Sequence, residues 1–289
     1  MNSAFRDVIF VNDITLLRAW LVALAVAIVG SNGLEALGFL GDDGLTRQTF
    51  APIAAIVGGY IFGLGIVMAG GCGSGVLYKQ GEGTFAAFVA MLGFGLSLIT
   101  SYHGPLQPLM QFLKSYKVSI GTGDDAIANP ALWDILGGPD YKWIIIAVVV
   151  GIMLPVIIKG RPFGKQPKKG WSWSLGGLLV GLVIIGAWWT SYQWGGRARG
   201  LSFSGPLAES MFFFLTGDSG ARNDQLFSIL GYGSISWSSL YILGVPLGAY
   251  ISAKGLGEFK LTTPREAAEL LRVFFGGVVM GIGGALAGG

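Results

Sequence analysis

Charged side chains are scarce in this 289-residue chain, and cysteine and histidine occur once each. Charged residues make up 12% of the sequence, whereas a soluble domain typically carries about 25%. Hydrophobic residues make up 52%, and the mean hydropathy is +0.63. This composition excludes an ordinary soluble domain and indicates a membrane protein. The net charge of +3 is not gathered in a soluble basic patch, so we expect no nucleic-acid partner.

The lone cysteine and the lone histidine limit the chemistry of the chain. Cys72 has no second cysteine, which excludes an intrachain disulfide. His103 lies in a predicted loop between two hydrophobic runs. A metal cluster or a Cys-His nucleophile is therefore poorly supported, and we predict no metal and no cofactor.

Hydrophobic runs dominate the sequence, and a membrane-spanning helix needs roughly 20 apolar residues. The first run follows a mixed-charge start with no close A-x-A site, so we expect it to be a retained span rather than a signal peptide. The fold class predicted is an all-α polytopic membrane protein. About seven runs are candidates: 14–31, 51–71, 84–101, 143–158, 172–192, 235–253 and 266–287.

A basic link predicts the orientation of these spans. Residues 159–169, KGRPFGKQPKK, hold five lysines and arginines and no acid, which places this short loop in the cytoplasm. Counting backward and forward then places the amino terminus and residues 254–265 inside, and residues 32–50 and 102–142 outside. We expect a multi-pass protein of the bacterial inner membrane.

Two glycine-rich stretches align without a gap. Residues 58–71 read GGYIFGLGIVMAGG, and residues 276–289 read GGVVMGIGGALAGG. By the count of spans they run in opposite directions, which indicates an inverted repeat of the kind found in transporters. The alternative is that the glycines only pack two helices together. The predicted divisions are a first half at 1–158, the linker at 159–170 and a second half at 171–289 that lacks its C-terminal end.

The stretch AGGCGSGVLYKQGEG at 69–83 contains six glycines in fifteen residues. A helix interior disfavours glycine by up to about 1 kcal/mol relative to alanine, so the helix should break near 70–75 and a short helix should start near Val76. Such a start offers N–H donors and a positive dipole end to an anion. Cys72 lies inside the break. A lone cysteine is commonly a small buried hydrophobe, but its glycine neighbours favour an exposed thiol in a wet cavity.

Together with NSAFRD at 2–7, GEFKL at 257–261 and the closing AGG, this stretch resembles the YeeE/YedE family of thiosulfate-uptake membrane proteins. The resemblance covers nearly the whole chain. It implies an hourglass-like inverted-repeat helical bundle with re-entrant short helices and a central path lined by three cysteines. Cys72 matches one of these cysteines. The other two would lie just before NSAFRD and just after the second AGG, so we expect an internal section of a longer protein.

The resemblance also implies the site residues. The substrate path would contain Cys72 and its flanking glycines, together with the closing glycines: Gly71, Gly73, Gly288 and Gly289. Residues that gate or support the path would be Asn2, Arg6, Tyr78, Lys79 and Glu82. Lys79 and Glu82 are three residues apart, so they either pair with each other on a short helix or stand beside the path as a gate.

The predicted function is uptake of thiosulfate or a related sulfur anion by a transporter, not an enzyme. A protonated thiol is a weak donor, so cysteines in sequence could pass such an anion along through easily broken hydrogen bonds. Two alternatives stay open: a membrane sulfurtransferase that carries a persulfide on Cys72, and an accessory subunit. The expected partners are the sulfur anion, the lipid bilayer and, by family analogy, a small cytoplasmic sulfur-carrier protein.

Overall fold

The computed structural model describes residues 4, 7–41, 44–47, 49–118, 129–136, 138–162, 164, 171–217, 226–228 and 234–288. Asn2, Arg6 and Gly289 of the predicted site lie outside the described residues. The described chain is mainly helical, with one short antiparallel pair of strands, β1 Leu226–Ser228 and β2 Ser234–Ser236. Short π-helical and 3₁₀ turns occupy Asp7–Val11 and Pro139–Tyr141. The α-helices are α1 Thr15–Ala36, α2 Pro52–Ala69, α3 Gly73–Gly81, α4 Phe85–Tyr102, α5 Gln107–Lys114, α6 Leu132–Leu136, α7 Lys142–Lys159, α8 Trp173–Gly195, α9 Ser204–Thr216, α10 Trp237–Leu256 and α11 Ala267–Ala287.

Six helical segments of the described residues are long and apolar enough to cross a membrane, and this confirms the predicted fold class of an all-α polytopic membrane protein. The seventh predicted run, 235–253, forms the 20-residue helix α10, but α10 is not among these six. Its polar first turn and an internal Pro246 explain its lower hydropathy. The six segments are Thr15–Ala36, Pro52–Gly81, Phe85–Tyr102, Pro139–Lys159, Trp173–Gly195 and Ala267–Ala287.

The chain divides into two compact units, and each unit draws on both of the predicted halves. The first unit contains residues 1–49 and 119–201, and the second contains residues 50–118 and 202–289. The boundaries predicted from the sequence, 1–158, 159–170 and 171–289, stay a prediction about the repeat.

In the first unit, α1 and α8 pack side by side and run in the same direction. Small residues permit this close approach: a Cβ added at Gly177 would lie 2.4 Å from the carbonyl oxygen of Ala19, and one added at Gly181 would lie 2.7 Å from the Cβ of Val26. Helix α7 runs antiparallel to α1. Arg18, near the start of α1, donates to the carbonyl of Val156 at 3.2 Å, and Lys142 at the start of α7 pairs with Glu35 at the end of α1.

In the second unit, α2 and α11 pack in opposite directions through the two glycine stretches. A Cβ at Gly65 would lie 2.3 Å from the Met280 nitrogen, and one at Gly276 would lie 2.4 Å from the Ala69 nitrogen. At the other end, a Cβ at Gly58 would lie 2.5 Å from the nitrogen of Ala287. The two copies therefore pack directly against each other, as the helix-packing alternative requires, and they run antiparallel, as the inverted repeat requires.

Helix α4 completes the core of the second unit. Phe94 and Met280 are fully buried in this core, and a Cβ at Gly277 would lie 2.1 Å from the carbonyl oxygen of Ala90. The relative directions of the helices within each unit match those that the count of spans requires. The assignment of the basic link to the cytoplasm stays a prediction.

Candidate functional site

The predicted helix break lies between α2 and α3. Helix α2 ends at Ala69, and Gly70 follows in the left-handed region with φ 73°. The N–H groups of Gly70 and Gly71 both turn back to the carbonyl of Ile66, the latter at 3.2 Å. A residue with a Cβ would be strained at this φ, which explains why glycine ends the helix here.

Cys72 immediately precedes α3 and occupies its N-cap position. Its backbone is extended, with φ -75° and ψ 175°. Its side chain is half-buried, and its Sγ lies 3.3 Å from the hydroxyl oxygen of Ser74. The first backbone bond of the helix runs from the N–H of Val76 to the carbonyl of Cys72 at 2.9 Å. The N–H groups ahead of Val76 consequently have no acceptor within the helix.

A second helix begins next to this one. Helix α9 starts at Ser204 after Phe203, and a Cβ added at Gly73 would lie 3.4 Å from the Cβ of Phe203. The first turns of α3 and α9 are thus adjacent, close to Cys72. Each helix N-terminus carries a partial positive charge of about half a unit, so the two ends together favour an anion. We call Cys72 with the first turns of α3 and α9 the candidate site.

Gly288, the first of the two closing glycines, follows the end of α11. Helix α11 ends at Ala287, and Gly288 adopts φ 84°, the same left-handed conformation as Gly70 at the end of α2. Gly276 packs beside Ala69, and the rise from Gly276 to Gly288 is about 18 Å along α11. Gly284, one turn before Gly288, faces the start of α9, where a Cβ at Gly284 would lie 2.9 Å from the hydroxyl oxygen of Ser204.

Lys79 crosses the helix break. Its ammonium group donates to the carbonyl oxygen of Gly70 at 2.8 Å, at the C-terminal end of α2. Of the two alternatives for Lys79 and Glu82, a pair between them is not formed in the described residues, because the ammonium group points back to the break. Glu82 is exposed, and its backbone carbonyl accepts a hydrogen bond from the backbone N–H of Lys260 at 3.3 Å. Tyr78 is 42% exposed on the outer face of α3.

The YKQGEG and GEFKL motifs meet in the structure although about 175 residues separate them in the sequence. Thr84 and Thr262 form a parallel bridge, and the N–H of Phe85 donates to the carbonyl of Thr262 at 2.9 Å. A Cβ at Gly83, where φ is 99°, would lie 2.8 Å from the carbonyl oxygen of Lys260. These motifs therefore fix the link between α3 and α4 rather than contribute to the candidate site directly.

Glu209 is an acidic residue that the sequence did not single out as a site residue. Glu209, on α9, accepts from the hydroxyl of Ser236 at 2.8 Å and from that of Ser238 at 2.5 Å. The signal that could have found it is its position in the apolar run PLAESMFFFL, since an ionisable residue in such a run of a membrane protein is usually functional.

Neither a metal centre nor a second anion site is evident in the described residues. No group of three or more His, Cys, Asp and Glu side chains there could hold a metal ion. A cavity of about 590 Å³ in the first unit is lined mainly by apolar groups that include Trp20, Trp171 and Trp173. Asp13 is the one charged residue that the described chain contributes to this lining, so the cavity does not suit an anion.

Six long apolar helical segments among the described residues define a multi-pass membrane protein, and one of these segments is broken at a thiol. The chain belongs to the sulphur-transport family (Sulf_transp), whose sequence profile matches residues 1–289. This confirms the predicted resemblance to YeeE/YedE proteins.

Curated relatives agree with the family assignment. The chain is 30% identical to the thiosulfate transporter TsuA of Spirochaeta thermophila, over all of this chain and 82% of that protein. It is 30% identical to the thiosulfate transporter TsuA of Escherichia coli K12, over all of this chain and 78% of that protein. The chain is also similar to the probable transporter YedE of Escherichia coli K12, with 30% identity over 38% of this chain and 26% of that protein.

Proposed function

We propose that this protein transports thiosulfate, or a sulfur anion of similar charge, across the bacterial inner membrane into the cell, and that it acts as a transporter rather than as an enzyme. The observation that carries the proposal is the candidate site, where Cys72 lies at the adjoining first turns of α3 and α9. The sulphur-transport family and the thiosulfate transporters among its relatives supply the class of substrate.

The site suits a dianion with a soft terminal sulfur. Two helix N-termini attract the oxyanion end, and free backbone N–H groups donate to it without carrying a full charge. A protonated thiol at Cys72 adds a weak S–H donor near the same place. Because each of these interactions is modest, the anion can leave as readily as it binds, which transport requires.

The substrate path also includes Gly71, Gly73, Gly288 and Gly289 in this proposal, with Asn2, Arg6, Tyr78 and Glu82 as gating or supporting residues. Lys79 acts as a support, because it holds the carbonyl end of α2 at Gly70. A small cytoplasmic sulfur-carrier protein would receive the anion, in line with the family analogy.

The test is uptake of radiolabelled thiosulfate by a bacterium that lacks its own uptake systems. The complete gene product is compared with its Cys72→Ala and Cys72→Ser forms, and Ser252→Ala, an exposed position on α10, is the matched control. We expect the control to match the wild type and Cys72→Ala to lose at least tenfold in uptake at equal membrane levels. Equal uptake by the alanine form would show that Cys72 only packs, and the proposal would fall.

A further inference from the structure

Glu209 is held by the beginning of α10. Ser236 and Ser238, which donate to its carboxylate, are 0% and 1% exposed. Ser236 is also the N-cap of α10: its hydroxyl oxygen accepts from the backbone N–H of Ser239 at 3.2 Å and lies 3.0 Å from the hydroxyl of Ser238. The carboxylate is therefore tied to a group that is itself fixed by a helix cap.

A second tie joins the same two helices. The hydroxyl group of Tyr241, one turn into α10, accepts from the backbone N–H of Ser202 at 2.9 Å and donates to the carbonyl of Ser202. Ser202 comes two residues before α9, so this contact fixes the chain at the point where it enters the helix. The ring of Tyr241 packs on Trp237, with ring centroids 5.1 Å apart, which limits its movement.

These ties lie on either side of the first turn of α9. Tyr241 holds the segment before the turn, and Ser236 and Ser238 hold Glu209 after it. Between the two ties lie Phe203, next to Gly73, and Ser204, whose hydroxyl oxygen would lie 2.9 Å from a Cβ at Gly284. The position of the α9 N-terminus relative to Cys72 thus depends on the start of α10.

We propose that Glu209 and Tyr241 are positioning residues that hold the N-terminus of α9 against the first turn of α3 and thereby set the affinity for the transported anion. This inference rests on the proposed function. The positive end of a helix acts within about one turn, so a shift of α9 away from Gly73 weakens its contribution to anion binding. Neither residue needs to contact the anion.

The experiment measures KM and maximal rate of thiosulfate uptake for three variants of the complete gene product. Tyr241→Phe removes one tie without a change of charge, Glu209→Ala removes the other tie, and Glu209→Gln keeps an acceptor while it removes the charge. We expect KM to rise about threefold to tenfold in Tyr241→Phe and in Glu209→Ala, the range that corresponds to one net hydrogen bond. In Glu209→Gln we expect a smaller rise, and in all three we expect maximal rates within about twofold of wild type.

Matched controls are Tyr250→Phe and Glu258→Gln, which change the same residue types at exposed positions on and just after α10. Detergent-solubilised amount and melting temperature identify variants that fold poorly, and Tyr241→Phe is the conservative change on which the inference depends. A wild-type KM in well-folded Tyr241→Phe and Glu209→Ala would overturn it. A KM below wild type in Glu209→Gln would also overturn it, because Glu209 would then act through its charge. If Cys72→Ala takes up thiosulfate normally, the proposed function itself fails, which is a separate result.

Discussion

The ammonium nitrogen of Lys79 lies 2.8 Å from the carbonyl oxygen of Gly70. This contact joins the last turn of α3 to the residue that follows α2, across the break that contains Cys72. A cation at a helix C-terminus is favourable because the last carbonyls lack partners within the helix. Lys79 therefore holds the last turn of α3 against the end of α2.

Replacement of Lys79 should loosen this loop. We expect Lys79→Met to lower the free energy of unfolding by about 1 kcal/mol, which is below the range of about 1.5–3 kcal/mol for a hydrogen bond from a charged group because this contact is exposed. Lys79→Arg should retain most of the stability. Thermal unfolding in detergent measures both, with Lys117→Met at an exposed position as the control. A loss of uptake without any loss of stability in Lys79→Met would instead identify Lys79 as a gate.

The left-handed turn at Gly70 predicts a backbone effect without a steric one. A Cβ at Gly70 would meet nothing within 4 Å, but φ is 73°, so Gly70→Ala should destabilise the protein by about 1 kcal/mol through strain alone. A Cβ at Gly63 would also meet nothing within 4 Å, but Gly63 lies inside α2. Gly63→Ala should therefore be neutral or stabilise the protein by a few tenths of a kcal/mol, because alanine favours a helix. Equal melting temperatures for the two variants would contradict the assigned turn.

The packing of α2 on α11 predicts a larger loss of stability than the turn at Gly70 does. Gly65→Ala and Gly283→Ala would each place a Cβ 2.3 Å from a backbone nitrogen of the facing helix, that of Met280 and that of Phe62 respectively. Since backbone cannot move aside as a side chain does, we expect about 3 kcal/mol of destabilisation, the upper end of the usual cost of overpacking, and a large fall in the yield of folded protein. Gly59→Ala, with open space around it, is the control. Normal yields of the two packing variants would contradict the antiparallel contact.

The half-buried thiol predicts a labelling result. Cys72 is the single cysteine of these 289 residues, so each adduct of this chain with N-ethylmaleimide reports on that position. We expect slow labelling that thiosulfate slows further, by threefold or more, because the anion would occupy the adjoining helix N-termini. Intact-mass spectrometry follows the reaction, and sodium chloride at equal ionic strength is the control. Labelling that ignores thiosulfate would place the anion elsewhere.

Much of the helical framework could be predicted because its signals are local. Long apolar runs predict spans, and glycine at 70–75 predicts the break, since both depend on the residue's own preference. The apolar run 206–215 is too short to span a membrane, and it lies within the 13-residue helix α9. The antiparallel course of the glycine stretches followed from a count of spans.

The partners of the polar side chains could not be predicted in the same way. Lys79 has Glu82 three residues away, yet it reaches nine residues back to Gly70. Glu209 binds serines that lie 27 and 29 residues further along the chain. Sequence spacing identifies neighbours on one helix, whereas these contacts depend on how separate helices pack.

The sequence by itself determined that the chain lies in a membrane, the approximate limits of the apolar helices, and the place where a glycine-flanked thiol interrupts one of them. These properties follow from the transfer of each side chain into lipid and from the backbone freedom of glycine. Only the tertiary structure decided that the first turn of α9 lies beside Gly73 and that the start of α10 holds it there. That arrangement depends on contacts between helices distant in sequence, which no local preference specifies.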